Sequence, residues 1–227
     1  MITGYVNNDG ASVLSGAPTA TPVWGAQPNI GTYPLAIGVG TLSAANYTFT
    51  AVSGTITVAP GILVIKPYAS SIKYGSPLPT LGYLATGLAY GQTAASVMSA
   101  APVLSTTANA HSGAGVYPVS ANVGGITASN YVVVAGAAGT LTIQPQTLVA
   151  RATNIVAKHG AALPALTYQV TGYVNGDTSS VLSGNAVLST TATQSSPAGT
   201  YPITFSTETL SAANYNVVYT GATLTEK

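Results

Sequence analysis

The chain has 227 residues, 47% of them apolar, but only five Lys or Arg and four Asp or Glu, 4% charged where a typical soluble domain carries about 25%. A net charge of +1 leaves no basic footprint for nucleic acid and no polybasic membrane patch, and the lack of cysteine removes disulfides, thiolate catalysis and zinc–thiolate sites together. No apolar run approaches the roughly 18 residues of a membrane-spanning helix, so no membrane insertion is expected here.

Tyr, Val and Thr suit half-buried pleated surfaces, and 25 Gly and 14 Pro punctuate at short intervals. An all-β chain is therefore expected. In residues 1–60 the alternation Gly54-Thr55-Ile56-Thr57-Val58 marks a closing strand. Residues 62–65 open another strand, residues 79–86 a second, and residues 103–107 and 116–119 a third and fourth. Residues 131–135 and 140–143 read as a closing hairpin across a Gly/Ala turn. Residues 177–182 read as one helical turn with Asp177 as its cap.

The same pattern recurs along the chain. Gly31-Thr32-Tyr33-Pro34, Gly115-Val116-Tyr117-Pro118 and Gly199-Thr200-Tyr201-Pro202 place their tyrosines 84 residues apart in both intervals. Asn46-Tyr47, Asn130-Tyr131 and Asn214-Tyr215 keep the same spacing. The front of the unit, Tyr74-Gly75-Ser76-Pro77-Leu78-Pro79, has one counterpart, His159-Gly160-Ala161-Ala162-Leu163-Pro164. The reading is an incomplete first repeat over residues 1–60 that lacks the front strands, a complete second over 61–145 and a complete third over 146–227. Six or seven short strands in about 84 residues fit a small Ig-like β-sandwich. The expected fold class is thus all-β, as tandem modules in an extended array, with a small α+β, β-grasp-like module as the alternative.

These residues together, Tyr-Gly, Gly-x-Tyr-Pro, Asn-Tyr and the closing Gly-Thr-Leu-Thr-Ile, resemble the MBG domain of the YGX type. The resemblance covers essentially the whole chain. It implies an extracellular repeat module of very large, secreted bacterial surface proteins and adhesins. It implies no reaction and no particular ligand. His159, standing where the second copy has Tyr74, departs from the pattern.

A residue present in every copy serves the fold before it serves a site. Tyr33, Tyr117 and Tyr201 are expected to be tyrosine corners, with the hydroxyl bonded back to nearby backbone. Asn46, Asn130 and Asn214 are expected to make Asx-type turns that start the closing hairpin. Asp9 and Asp177 are equivalent, but the second copy has Gln92 there. An amide cannot replace a general acid or base, so this position is read as a turn. Calcium needs six to eight oxygen ligands rich in carboxylates, and four acids cannot supply each junction. His111 and His159 do not recur, and no Gly-x-Ser-x-Gly elbow supports a hydrolase. Lys73 and Lys158 recur before the Tyr/His-Gly pair. Lys158 with Asn214 and Glu208 holds the residue types of an isopeptide cross-link, but Glu208 does not recur, and solvated lysines are the favoured reading.

Trp24 is the lone tryptophan, with Ala108 and Ala192 as its counterparts. It either covers apolar surface left open by the absent front strands, the favoured reading, or anchors a sugar or protein partner. No catalytic residue, metal or cofactor is expected. The short Pro-containing joints, Ala59-Pro60-Gly61 and Gln144-Pro145-Gln146, limit swing between copies. The expected role is non-catalytic: a structural stalk in a cell-surface adhesin. Its rivals are a module binding surface glycans or proteins, and a self-assembling subunit completed by a strand from a neighbouring copy.

Overall fold

The computed structural model describes residues 1–227. With 45% strand and 4% helix it is an all-β protein, and no α+β layer forms. No helix is long and apolar enough to cross a membrane.

The first copy forms one antiparallel sheet, β1 (Thr19–Pro22), β2 (Gly31–Gly38) and β3 (Gly54–Val58), in the order β1-β2-β3. The second copy begins with β4 (Gly61–Pro67), β5 (Ser70–Lys73), β6 (Tyr83–Thr86) and a one-turn helix α1 (Ala94–Val97). It continues with β7 (Val103–Thr106), β8 (Gly115–Asn122), β9 (Tyr131–Ala135) and β10 (Gly139–Gln144). These strands make a front sheet β6-β4-β9 and a back sheet β5-β10-β8-β7. The third copy repeats the scheme with β11 (Gln146–Ala152), β12 (Ile155–Ala157), β13 (Tyr168–Thr171), β14 (Ala186–Thr190), β15 (Gly199–Glu208), β16 (Tyr215–Thr220) and β17 (Ala222–Glu226). Its front sheet is β13-β11-β16 and its back sheet β12-β17-β15-β14.

Alternation decides which faces are inside. Leu148, Ala150 and Ala152 point into core along β11, while Thr147 and Arg151 face water. On β10, Leu141 and Ile143 are buried between exposed Thr140 and Gln144. A one-residue slip would reverse both faces, so the register is firmly set.

Two expectations need correction. The closing pair of strands is not a hairpin. In the third copy β16 pairs in parallel with β11, whereas β17 pairs antiparallel with β15 and parallel with β12. The Gly/Ala turn carries the chain from one sheet to the other. It does so where no side chain fits: a Cβ on Gly221 would lie 2.6 Å from the Ile203 carbonyl oxygen, and one on Gly139 would lie 2.6 Å from that of Tyr68. The second correction concerns the helical turn at 177–182. It exists as a 3-10 turn over Ser179–Val181, but Thr178 is its cap, with Oγ1 accepting from the Ser180 N–H at 3.4 Å. The Asp177 carboxylate is engaged elsewhere.

The chain divides into two compact units that straddle the copies. The first joins Met1–Ile65 to Ala85–Pro102 and Val123–Val134; the second joins Lys66–Leu84 and Val103–Asn122 to Ala135–Lys227. Within the second unit, one core cluster combines Tyr74, Val119, Leu141 and Ile143 of the second copy with Leu148 and Tyr215 of the third. Another holds Ala152, Ala157, Ile203 and Leu224 of the third copy. Strand β11 therefore serves both, Leu148 at its start and Ala152 at its end. Phe205 on β15 ties the two sheets of the third copy, edge-to-face with Tyr168 and Tyr219 at 5.7 and 5.0 Å between ring centroids.

Candidate functional site: the joint between copies

The joint starts from the corner tyrosines. Half-buried Tyr33, Tyr117 and Tyr201 each donate a hydroxyl hydrogen bond four residues back, to the carbonyls of Asn29, Gly113 and Pro197, at 2.8, 2.9 and 2.8 Å. The bond fixes the loop before the strand and aims the next backbone N–H away from its own copy. In the first unit the Ile30 N–H donates to Asn130 Oδ1 at 2.9 Å, and in the second the Ala114 N–H donates to Asn214 Oδ1 at 2.9 Å, each across 100 residues.

This corrects the reading of the asparagines. Asn130 and Asn214 do not close turns of their own; their side chains hold the corner loop of the preceding copy. Asn130 sits at φ +67°, a left-handed conformation that Asn tolerates. It also donates from Nδ2 to Asn29 Oδ1 at 2.8 Å. At the second joint Gly113 replaces Asn29, and a Cβ there would lie 2.8 Å from Asn214 Oδ1. The main-chain carbonyls of Asn130 and Asn214 accept the N–H of Gly61 and Gln146, the first residues of β4 and β11, each at 2.9 Å. Asn46, in the first copy, makes no corresponding side-chain bond.

The tyrosine after each asparagine serves a second feature. Residues 6–9, 89–92 and 174–177 form tight turns closed by N–H to carbonyl bonds of 3.0 Å. Both central residues have positive φ: Asn7 and Asn8, Tyr90 and Gly91, Asn175 and Gly176, as in a type I′ turn. The last residue of each turn offers an acceptor. Tyr47 donates to Asp9 Oδ2 at 2.6 Å, Tyr131 to Gln92 Oε1, and Tyr215 to Asp177 Oδ2 at 2.7 Å. The same hydroxyls accept the N–H of Val6, Ala89 and Val174. A carboxylate and an amide oxygen are interchangeable here because only an acceptor is required.

At the second joint the Tyr-Gly pair completes the contact. Tyr74, 6% exposed, donates to Asp177 Oδ2 at 3.1 Å and stands edge-to-face on Tyr215, ring centroids 5.4 Å apart. Gly75, at φ +81°, lies where a Cβ would come 2.5 Å from Val174 Cγ2. Burial pushes the Tyr215 phenol up to about 12, with the Asp177 hydrogen bond acting in the same direction. The hydrogen bond to Asp9 is the main cause raising Tyr47. Burial raises Tyr173, whose hydroxyl has no partner.

The remaining candidates lie apart from this network. Trp24 is 37% exposed and rests edge-to-face on the corner residue Tyr33, centroids 5.6 Å apart. Lys73, Lys158 and Glu208 are exposed, and the Asn214 carboxamide oxygen is already committed to Ala114. His111 is exposed, and His159 Nδ1 lies 3.0 Å from the Ser196 carbonyl. No three His, Asp or Glu side chains gather as they would around a metal ion. A cleft of about 240 Å³ beside the first joint is lined by Asn29, Tyr90, Asn130 and Tyr131 among others. Glu226 was not singled out by the sequence. It is 2% exposed with neither carboxylate oxygen hydrogen-bonded, at the strand position that Ile143 holds in the second copy. Aligning the closing strands of the copies would have revealed it.

The arrangement binds one copy to the next through groups that recur at a fixed spacing. The sequence pattern of the MBG domain (YGX type) matches residues 1–57, 63–142 and 148–225. No curated protein matches the chain. Three tandem matches over nearly its entire length show that the chain belongs to the MBG domain family of the YGX type.

Proposed function

We propose that the chain is a non-catalytic structural segment, a stalk, of a secreted bacterial surface adhesin. Its work is to hold successive copies in fixed relation, so that a load on one is passed to the next. The observation that carries this reading is the backbone-to-asparagine bond across 100 residues, made at 2.9 Å at both joints. It is supported by the core shared between the second and third copies, where Leu148 and Tyr215 pack with Leu141 and Ile143. The recurrence of the acceptor at Asp9, Gln92 and Asp177 favours a holding role over an acid–base one. The family resemblance supports the extracellular, cell-surface location. Trp24 leaning on Tyr33 favours a covering role over a sugar platform.

Pulling single molecules from their two ends tests the reading. The wild type should show no slack before the copies unfold, and Asn130→Ala with Asn214→Ala should add a compliant, low-force extension. Wild type and double variant stretching alike would reject it.

A further inference from the structure

The two joints share a plan but not a fit. At the first, the corner residue Asn29 carries a side chain, and the Asn130 carboxamide engages the loop at two points. Its Oδ1 accepts the Ile30 N–H at 2.9 Å, and its Nδ2 donates to Asn29 Oδ1 at 2.8 Å. At the second, the corner residue is Gly113, and the Asn214 carboxamide lies against it. A Cβ on Gly113 would stand 2.8 Å from Asn214 Oδ1, 3.6 Å from Cγ and 3.7 Å from Nδ2.

The backbone makes no demand for a glycine at 113. Gly75, Gly87 and Gly172 hold left-handed φ values of +81°, +97° and +104°, but Gly113 does not. What excludes a side chain there is the asparagine of the next copy, because an approach of 2.8 Å would force one partner to move. The facing asparagines differ to match. Asn130 holds φ +67°, whereas Asn214 stays outside the left-handed region. The surroundings differ too, since Gly113 and Ala114 are half-buried while Asn29 and Ile30 are exposed.

We propose that the joints are keyed, and that the corner residue, Asn29 or Gly113, selects the kind of copy that can dock behind it. A bare corner takes a copy whose asparagine presses on the main chain, as Asn214 does. A corner with a side chain takes a copy whose asparagine is left-handed and pairs with it amide to amide, as Asn130 does. Selectivity comes chiefly from what each corner refuses. A side chain at 113 overlaps the seated carboxamide, and a glycine at 29 leaves Asn130 Nδ2 without its acceptor. Neighbouring copies thus recognise one another, and their order is fixed by fit as well as by the covalent chain. The inference rests on the holding role proposed above and names the partner that each joint takes.

Amide hydrogen exchange on the intact chain, followed at Ile30 and Ala114, tests one joint at a time. Gly113→Ala adds only a Cβ and should speed exchange at Ala114 about tenfold or more, leaving Ile30 unchanged. Asn29→Ala keeps a Cβ at an exposed corner and should speed Ile30 by less than about threefold. The thermal midpoint should fall with Gly113→Ala in the wild type, yet stay put once Asn214→Ala has removed the carboxamide. Unchanged exchange at Ala114, or an equal effect of the two corner substitutions, would overturn the proposal. So would an equal fall of the midpoint in both backgrounds, since the glycine would then serve its own copy alone. Loss of the key leaves the stalk reading standing; that reading fails only if the pulled wild type and double variant stretch alike.

Discussion

Tyr173 and Tyr215 pack in the same cluster, ring centroids 6.2 Å apart, yet their hydroxyls stand differently. Tyr215 donates to Asp177 and accepts from Val174, whereas the Tyr173 hydroxyl is buried without a partner. Removing one member of a buried pair leaves the other unsatisfied, while removing an unpaired hydroxyl relieves a desolvated group. Tyr215→Phe should therefore cost about 1–3 kcal/mol in denaturant melts, and Tyr173→Phe should be neutral or stabilise by up to about 1 kcal/mol. The Tyr215 phenol also sets an alkaline limit. It titrates near 10 when unfolded and at about 12 in place, so its contribution is whole below pH 10 and is lost as the pH rises toward 12. Unfolding temperatures measured from pH 9 to 12 should fall, and Tyr215→Phe should flatten that fall. Glu226 is the converse case. Its buried carboxylate has no hydrogen-bond partner where Ile143 packs in the second copy. Glu226→Ile should raise stability by about 1–3 kcal/mol, and a lower melting temperature would show that the buried acid stabilises the fold.

Among the strands and loops, the joint asparagines can be set against their own unengaged counterpart. Asn214→Ala removes the acceptor of the Ala114 N–H and should cost about 1–2 kcal/mol. Asn46→Ala removes nothing comparable and should fall within about 0.5 kcal/mol of wild type. Equal losses from the two variants would mean that the asparagine matters through its own backbone and not through the preceding copy. The same contrast explains what could be read beforehand. The period was legible because the same short motifs return every 84 residues, and the turn at Asp9, Gln92 and Asp177 and the corner tyrosines because their determinants lie within a few residues. The joint was not, since Ile30 and Asn130 are 100 residues apart and nothing local in Asn-Tyr names its partner. The false hairpin came from a genuine signal. Two alternating segments flank a Gly/Ala turn in either case, and only the close approach of Gly221 to Ile203 sends the chain to the other sheet.

For the molecule as a whole, the unit that repeats in sequence and the unit that packs are offset. A copy is bounded by its motifs, but the back sheet of the second copy shares a core with the front sheet of the third. Val119, Leu141 and Ile143 lie with Leu148 and Tyr215 across a motif boundary, tied by Tyr74 to Asp177. Cooperative unfolding follows buried contacts, not sequence periods. Native-state hydrogen exchange should therefore show the slow amides of β8 and β10 opening together with those of β11 and β16, at one free energy. Asn214→Ala should lower the protection of all four strands in step, although the substitution lies in only one copy. Exchange that instead grouped β8 and β10 with the first strand of their own copy, leaving β11 and β16 untouched by the variant, would mean that each copy folds for itself. The joint would then be a surface contact, and a hydrogen bond made twice at the same spacing would carry no load.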